Sequence, residues 1–289
     1  MRASGGKNIR PVRVVLTVLL CVFAVAAVTG CGGKLVRVSD RTEVEPAEFI
    51  AEAGGARLVF VGEHHSDRSH HRLQLRIIRA LHEAGMDIAV GVEMFRAGDQ
   101  EVLDRWVAGE TTEKEFKEAY YEFWKLDWSL YDDIFLYARK EGIPVVGLNV
   151  PRALIGQVFD EGFGSLTEEQ LAIMPGATCD VDAEYEEFIR EAMGRHDHGE
   201  GDTFKKFCEA QMVWDTTMAH RAVEYLRDHP EKAMVVLAGS AHSWKRGIPR
   251  QVERLSDLPY LVILPESEDD LKVEAVSSED ADYIWEGLF

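Results

Sequence analysis

The sequence predicts an α/β fold, a mostly parallel sheet flanked by helices, with a helical insertion before the last strands. Short apolar runs rich in β-branched residues recur along the chain, and segments with apolar residues at helical spacing separate them. This alternation is typical of right-handed crossovers in a parallel sheet. The 289 residues, 46% of them hydrophobic, are enough for one substantial core.

The first part of the chain supplies three strands with helices between them. Strands are predicted at residues 58–61, 88–92 and 143–148. Between the first two, Leu73, Ile77 and Leu81 form the apolar stripe of a helix that ends near Gly85. Further helices are predicted at residues 45–54, 100–106, 113–124 and 130–140. Residues 31–44 are interpreted as a linker. The alternative for residues 32–40 is a first strand.

The second part begins with a change of pattern. Residues 156–201 contain glycines, acidic residues and a possible helix at 181–193, but no clear strand, which indicates a helical cap inserted in a domain that spans 45–265. A long helix at 204–228, a strand at 233–238, a short helix at 248–255 and a strand at 260–264 follow. The acidic tail, 266–289, carries Ile284 and Trp285 as a candidate edge strand.

The N-terminus has the pattern of an exported protein. Four basic residues precede an apolar run over 14–28, and small residues then lead to Cys31. This is typical of a secretory signal peptide at 1–30. Val28-Thr29-Gly30-Cys31 resembles the lipobox of bacterial lipoproteins, which implies lipidation of Cys31, a place in the cell envelope and, in a Gram-negative host, the outer membrane. The alternative is an ordinary cleaved signal in which Cys31 is incidental.

Charge and cysteine content narrow the possible partners. The formal net charge is −19, and loss of a basic signal makes the mature chain more negative. So acidic a chain is a poor binder of nucleic acid. Cys179 and Cys208 remain in an oxidising compartment, so either a disulfide between them or two buried thiols fits the sequence.

Polar side chains follow four of the predicted strands. In strand order they are Glu63, His64 and His65; Glu93; Asn149 and Arg152; and His242. Parallel strands would bring them all to one edge of the sheet, where ligands bind in open α/β folds. Each signal is weak alone, because a glutamate at a strand end is often a helix N-terminal acid. Gly62-x-x-His65 and Gly239-x-x-His242, however, each follow an apolar strand.

Two kinds of chemistry fit this set of side chains. Imidazoles and carboxylates suit a divalent metal, with Glu63, His65, Glu93 and His242 as ligands. The same four residues, without metal, fit an acid/base pair that activates water. His70 and His71 are either further members of the set or exposed helix residues, and His196 and His198 fit a solvated loop better.

Several motifs in order resemble the ChaN-like haem-binding lipoproteins, grouped with the Tiki, TraB and erythromycin esterase proteins. They are Gly62-Glu-His-His65, Val92-Glu-Met-Phe95, Leu148-Asn-Val-Pro-Arg152, Ala210-Gln-Met-Val-Trp-Asp215 and Ala238-Gly-Ser-Ala-His242. The resemblance spans about residues 45–260. It implies an α/β fold with a helical insertion, a haem site with a tyrosine ligand, and a homodimer around paired haems. It also implies metal-dependent or His/Glu hydrolysis in some relatives.

Carried onto this sequence, the resemblance makes Tyr131 the candidate iron ligand, because residues 127–131 also look like a family motif. The alternative is that Tyr131 packs on the helix it begins. His64, His65, Asn149 and Arg152 complete the expected haem-binding set. The resulting hypothesis is a lipid-anchored haem-binding protein of haem or iron uptake. The alternatives are a hydrolase and a lipoprotein domain that binds a partner.

Overall fold

The computed structural model of the chain describes residues 33–192, 201–266 and 276–287. In these residues seven strands form one sheet: β1 Lys34–Arg37, β2 Leu58–Glu63, β3 Ile88–Arg96, β4 Val145–Asn149, β5 Ala233–Gly239, β6 Tyr260–Pro265 and β7 Tyr283–Glu286. Their order across the sheet is β1-β7-β6-β2-β5-β3-β4. The pair β1–β7 is antiparallel, and the other pairs are parallel. The predicted α/β class with a mostly parallel sheet is confirmed.

Helices cover both faces of the sheet. Over the described residues they are α1 Pro46–Ala53, α2 Arg68–Glu83, α3 Gln100–Val107, α4 Glu113–Phe123, α5 Asp132–Glu141, α6 Arg152–Glu161, α7 Glu168–Ile173, α8 Ala183–Ala192, α9 Asp202–Asp228, α10 Ser240–Ser243 and α11 Ile248–Leu255. Helices α1 to α5 pack on one face, and α9 and α11 pack on the other. The core therefore lies in two layers on either side of the sheet.

The central strand β2 shows how the sequence makes these two layers. Its residues are buried throughout. Val59 and Val61 belong to the core beneath α2, whereas Leu58 and Phe60 belong to the core beneath α9. A strand that is buried on both faces reads as a continuous apolar run, since successive side chains point to opposite faces. The run ends at Glu63, where the strand reaches the edge of the sheet.

Local signals set the ends of the helices that matter for the site. Asp67 caps α2, because its carboxylate accepts a hydrogen bond from the Ser69 amide at 2.7 Å. Thr112 and Glu115 form a capping box at the start of α4. Gly142 ends α5 with φ 69°, a left-handed conformation that glycine adopts readily.

Both segments outside the predicted domain bounds contribute a strand. Strand β1 comes from the predicted linker, and β7 comes from the acidic tail. Strand β7 lies between β1 and β6 rather than at the edge, so the edge strands of the described sheet are β1 and β4. In the predicted insertion, the described residues form α6, α7 and α8 with no strand, and α6 packs along α9.

Some predictions lie outside the described residues, namely the signal peptide, Cys31, His196 and His198. In the described part of the chain, no helix has the length and apolar character needed to cross a membrane. Cys179 and Cys208 are free thiols, with Cys208 buried and Cys179 half-buried. The disulfide between them is therefore not formed in this structure.

Candidate functional site

A cavity of about 710 Å³ opens beyond the carboxyl ends of β2, β3, β4 and β5. Side chains that follow parallel strands collect at this edge. All of the predicted site residues except Tyr131 line the cavity: Glu63, His64, His65, Glu93, Asn149, Arg152 and His242. The expected convergence is therefore present in the fold, while the roles given to the individual residues stay predictions.

Glu63 is a fully buried carboxylate with four polar neighbours. Its Oε1 accepts a hydrogen bond from the Tyr131 hydroxyl at 2.5 Å and lies 2.7 Å from His65 Nδ1. Its Oε2 accepts a hydrogen bond from the Gln74 amide at 2.7 Å and lies 3.2 Å from His71 Nδ1. Burial acts to raise the pKa of Glu63, but hydrogen bonds from His65 and His71 hold it well below its usual range. These hydrogen bonds therefore favour the ionised form of Glu63.

His70 and His71 face inward, which the sequence left open. Both are buried, at 1% and 2% exposure. His71 Nε2 lies 3.1 Å from the His65 carbonyl oxygen, which only accepts, so Nε2 carries a proton. Its Nδ1 faces the Glu63 carboxylate, so it also carries a proton. Although burial acts to lower the pKa of His71, Glu63 raises it, and His71 is an imidazolium that balances the buried charge.

His65 lies between two carboxylates. Its Nδ1 contacts Glu63, and its Nε2 lies 4.0 Å from Glu93 Oε1. Its ring meets Trp124 edge to face at 5.0 Å. Burial acts to lower the pKa of His65, but Glu93 and Glu63 raise it to about 9. At neutral pH the ring is therefore protonated, which makes His65 a donor rather than a base.

Glu93 is held in place by the neighbouring strand. Its Oε2 accepts a hydrogen bond from the Gly239 amide at 2.8 Å. The register of β3 against β4 shifts between Val92 and Arg96, around this residue. Gly239 also leaves room for His65, since a Cβ there would lie 3.2 Å from His65 Cε1. The motifs that end β2 and β5 therefore meet at Gly239, where His65 and Glu93 both come close to the backbone of β5.

The side-chain amide of Asn149 is used in hydrogen bonds within the cavity wall and is not free for a ligand. Its Nδ2 donates to the Glu93 carbonyl oxygen at 2.7 Å. Its Oδ1 accepts a hydrogen bond from Trp214 Nε1 at 2.9 Å and another from the Val150 amide at 2.7 Å. The side chain therefore fixes the end of β4 to β3 and to α9.

His242 belongs to a second pair of imidazole and carboxylate. Its Nδ1 lies 2.6 Å from Asp215 Oδ1, and Asp215 Oδ2 accepts a hydrogen bond from the Tyr185 hydroxyl at 2.6 Å. Although burial acts to lower the pKa of His242, Asp215 raises it. The cavity thus has two histidines whose Nδ1 atoms face carboxylates.

Aromatic and cationic side chains complete the wall of the cavity. Trp124, Trp214 and Trp244 supply apolar surface. Arg96 lines it but is held by Asp99, with Nε at 2.5 Å from Oδ2. Arg152 is exposed at the first residue of α6 and acts on the His65 ring, whose pKa it lowers. Among the residues that the structure describes, Arg152 has no ion pair.

Tyr131 lies behind the cavity rather than in it. Its side chain is fully buried, and its ring packs on His71 with 4.1 Å between the ring centres. Its hydroxyl is engaged by Glu63. Ligation of iron by Tyr131 stays a prediction, one that requires this hydrogen bond to break.

No group of three His, Cys, Asp or Glu side chains in the described residues is arranged to hold a metal ion. Glu63 is poorly placed to bind a metal, because both of its oxygens already face other side chains, namely Tyr131, Gln74, His65 and His71. A divalent metal on Glu63, His65, Glu93 and His242 stays a prediction without this support.

The comparison with protein families gives a match over residues 49–252. The family is described as haem-binding uptake proteins of the ChaN type in the Tiki superfamily. The chain belongs to this family. The match covers most of the α/β domain, including every strand that ends at the cavity.

Comparison with solved structures gives proteins of similar fold. ChaN of Campylobacter jejuni, solved with cofacial haem, has a TM-score of 0.70 at 19% identity, over 89% of this chain and 98% of that one. At this identity the likeness establishes the shared fold. An erythromycin esterase mutant in its open conformation gives a TM-score of 0.48 at 15% identity, over 88% of this chain and 82% of that one.

Protein RETICULATA-RELATED 5 of Arabidopsis thaliana, a chloroplastic protein, is 24% identical over 249 residues. The match covers 80% of this chain and 34% of that relative. This ChaN-family chain thus spans about a third of the length of the curated protein it matches.

Three residues that support this site had no role predicted from the sequence. Asp215 ends the family motif Ala210–Asp215, so the sequence singled out its position. Its contact with His242 could not be predicted, because it depends on where helix α9 lies in the fold. Nothing in the sequence places Tyr185 beside Asp215, because α8 and α9 are separate helices that meet only in the fold. Gln74 of α2 likewise had no predicted role, although its amide donates a hydrogen bond to the buried Glu63 carboxylate.

Proposed function

We propose that this chain binds haem in the cavity at the carboxyl edge of the sheet and takes part in the uptake or handling of haem or iron. The observation that carries the proposal is the composition of the cavity in a member of a haem-binding uptake family. Imidazoles, indole rings and a cationic rim meet in one space of about 710 Å³. That volume is within the usual range for small-molecule and cofactor sites.

The residues present fit haem in three respects. Haem iron takes axial ligands such as histidine and tyrosine. His64 and His65 line the cavity, and His65 can ligate iron only after its ring loses a proton. Trp124 and Trp214 offer flat apolar surface to a porphyrin. Arg152 offers a guanidinium group, which pairs well with carboxylates such as the haem propionates. Bound haem supplies an iron centre for transfer or redox chemistry, while the chain binds, orients and shields it.

A lipid at Cys31 would hold this haem site at the cell envelope, and at the outer membrane of a Gram-negative host. The small residues before Cys31, directly after an apolar run, support this part of the proposal. A homodimer around the haem site belongs to the same proposal, and its support is the cofacial haem of the Campylobacter jejuni ChaN structure. Mass spectrometry of the mature N-terminus and light scattering with and without haemin test these two points.

An absorbance titration with haemin tests the binding itself. The full chain in detergent is titrated beside Tyr131→Phe, His64→Ala and His65→Ala. His82→Ala is the matched control, since His82 pairs with Tyr137 at 3.0 Å on another face of the protein. Saturable binding with a shifted Soret band in wild type and in the control supports the proposal. An unchanged haemin spectrum in wild type contradicts it.

Hydrolysis is the second candidate function, and the two histidines with carboxylates at Nδ1 favour it. Such a pair, His65 with Glu63 or His242 with Asp215, orients an imidazole for proton transfer to or from water. Either histidine must be neutral to act as a base. Glu93 lies near His65 Nε2 and is a candidate partner for the same water.

Hydrolysis of p-nitrophenyl acetate tests this candidate, with and without added Zn²⁺ or Mn²⁺. Glu63→Gln and His242→Ala should remove a genuine activity while circular dichroism shows a folded chain. Wild-type rates in both folded variants would remove these residues from the mechanism. A requirement for added metal would support the predicted metal site, with Glu63, His65, Glu93 and His242 as its ligands.

A further inference from the structure

A second, smaller cavity lies between α6 and α9 and adjoins the first one. Its volume is about 290 Å³, which is near the lower end of the range for small-molecule sites. Arg152, Gln211 and Trp214 line both cavities, so the two meet at these residues. The other residues that line this α6–α9 groove are Ile155, Gly156, Phe159, Asp160, Phe207 and Ala210.

The middle of the α6–α9 groove is apolar and partly open. Ile155 and Ala210 are buried, whereas Phe159 is 41% exposed. The Phe159 ring meets Phe207 of α9 edge to face, with 6.0 Å between ring centres. A Cβ atom added at Gly156 would meet nothing within 4 Å beyond its own stretch of helix. Packed side chains therefore form the floor of the groove and leave room above it for an apolar group.

The end of the groove that meets the first cavity offers two polar side chains. Gln211 is only 8% exposed, yet in the described part of the chain its carboxamide has no hydrogen-bond partner. Burial without a partner is costly for an amide. Arg152 is exposed and, over the described residues, makes neither an ion pair nor a hydrogen bond. A guanidinium and an amide N–H both donate, and a carboxylate can accept from both.

The charges along α6 determine the orientation of such a ligand. Arg152 is the first residue of α6, and Asp160 lies in its last turn, about 12 Å along the axis at 1.5 Å per residue. A carboxylate is therefore attracted to the Arg152 end of the groove, while a second anionic group would be repelled at the Asp160 end. A monoanion with an apolar tail matches both ends.

We propose that the α6–α9 groove binds a small carboxylate with an aryl or branched alkyl tail, whose carboxylate is held by Arg152 and Gln211. This inference goes beyond the proposed function, because it concerns a separate space and needs no haem. It also connects the two sites, since Arg152 is the group expected to pair with a haem propionate. Occupation of the groove should therefore weaken the binding of haemin.

Phenylbutyrate is the probe, titrated into the full chain without haem and followed by calorimetry. Saturable binding at one site is expected. Arg152→Gln should weaken it by roughly tenfold and Gln211→Leu by roughly threefold. Phenylbutanol, which lacks the charge, should also bind roughly tenfold more weakly. The p-carboxy derivative of phenylbutyrate should bind more weakly than the parent acid, because its second carboxylate would meet Asp160.

Gly156→Leu tests the space itself without removing a polar contact. Since nothing lies near the Cβ position, the leucine side chain fits and fills the groove, and α6 gains a better helix former. Phenylbutyrate binding should be lost while circular dichroism shows a folded chain. Phe159→Ala should weaken binding by roughly tenfold. Leu136→Ala, at a leucine of α5 that is 38% exposed, is its matched control and should keep wild-type affinity.

Each part of the proposal has a result that would overturn it. No binding of phenylbutyrate to wild type, or equal affinity in folded Gly156→Leu, would overturn the groove site. Equal affinities for phenylbutyrate and phenylbutanol would overturn the assignment of a carboxylate. In haemin titrations, phenylbutyrate should raise the apparent Kd for haemin in wild type but not in Gly156→Leu, and a constant value in wild type would overturn the competition. Failure of wild type to bind haemin would remove the proposed function, while calorimetry would still decide the groove site.

Discussion

The Nδ1 nitrogen of His65 lies 2.7 Å from Oε1 of Glu63, a carboxylate whose side chain has no exposed surface. A buried carboxylate is tolerated only when charges and hydrogen bonds replace the water it has lost. Here two histidines, an amide and a phenol replace that water. The cavity wall is therefore one electrostatic unit, and changes to any member should be felt by the others.

Replacing Glu63 with glutamine should destabilise the fold substantially. The substitution keeps the shape but removes the charge that balances His65 and His71. Breaking a buried ion pair by removing one partner costs about 3–5 kcal/mol. Urea unfolding should show this loss in the free energy of unfolding, and the pKa of His65 should fall in the same variant.

Glu118→Gln is the matched control for that change. Glu118 is exposed and pairs with Lys114 at 3.8 Å along one helix face. Surface pairs of this kind contribute about 0–1 kcal/mol. Equal effects of the two substitutions on unfolding would contradict the view that Glu63 is the centre of the network.

Stability should fall as the pH rises from neutral toward 9 and above. The pKa of His65 is raised from its usual 6.5 to about 9, so the folded protein binds more protons than the unfolded chain between these values. A group with a raised pKa stabilises fully below its unfolded value, and this contribution is lost as pH passes through the folded value. Urea midpoints measured from pH 6 to 10 should therefore decline. His65→Gln should flatten the decline, and an equally steep decline in that variant would assign it to other groups.

Gly239→Ala should disturb His65 without any direct contact with a ligand. The new methyl group would lie 3.2 Å from His65 Cε1 and 3.4 Å from Nε2, so the ring must shift. Overpacking of this kind costs about 1–3 kcal/mol. Unfolding and the His65 NMR signals should both report it. Gly156→Ala is the control, because nothing lies near its Cβ position, and helix α6 should gain up to about 1 kcal/mol.

The sequence predicted the frame of the site because its signals are local. Apolar runs such as the one before Gly62 mark buried strands, and parallel pairing then brings Glu63, His65 and His242 to one edge. The length of β3 was harder to predict. The strand continues to Arg96, so Glu93 lies within it, where an irregular register turns it toward Gly239.

What the sequence did not show depends on contacts between distant helices. Asp215 reaches His242 only because α9 passes the end of β5, and Tyr185 reaches Asp215 only because α8 packs on α9. Although Asp215 ends a family motif, nothing in the local sequence indicates that either side chain reaches the cavity. For Tyr131 the opposite holds. A motif singled it out as a haem ligand, but in the fold its hydroxyl donates to the buried Glu63 carboxylate and does not line the cavity.

Arg152→Gln should weaken haem binding by roughly tenfold, which corresponds to about 1.4 kcal/mol. Arg152 is exposed at the cavity and close enough to His65 to affect its pKa, so its guanidinium is placed to pair with a propionate. Haemin titrations at low and high salt should show a smaller salt dependence in the variant. Haemin dimethyl ester, which lacks the propionate charges, should bind wild type and variant alike. Arg227→Gln, an exposed arginine at the far end of α9, is the matched control and should keep wild-type affinity. A tenfold loss for the ester as well would mean that Arg152 shapes the cavity and does not pair with propionate.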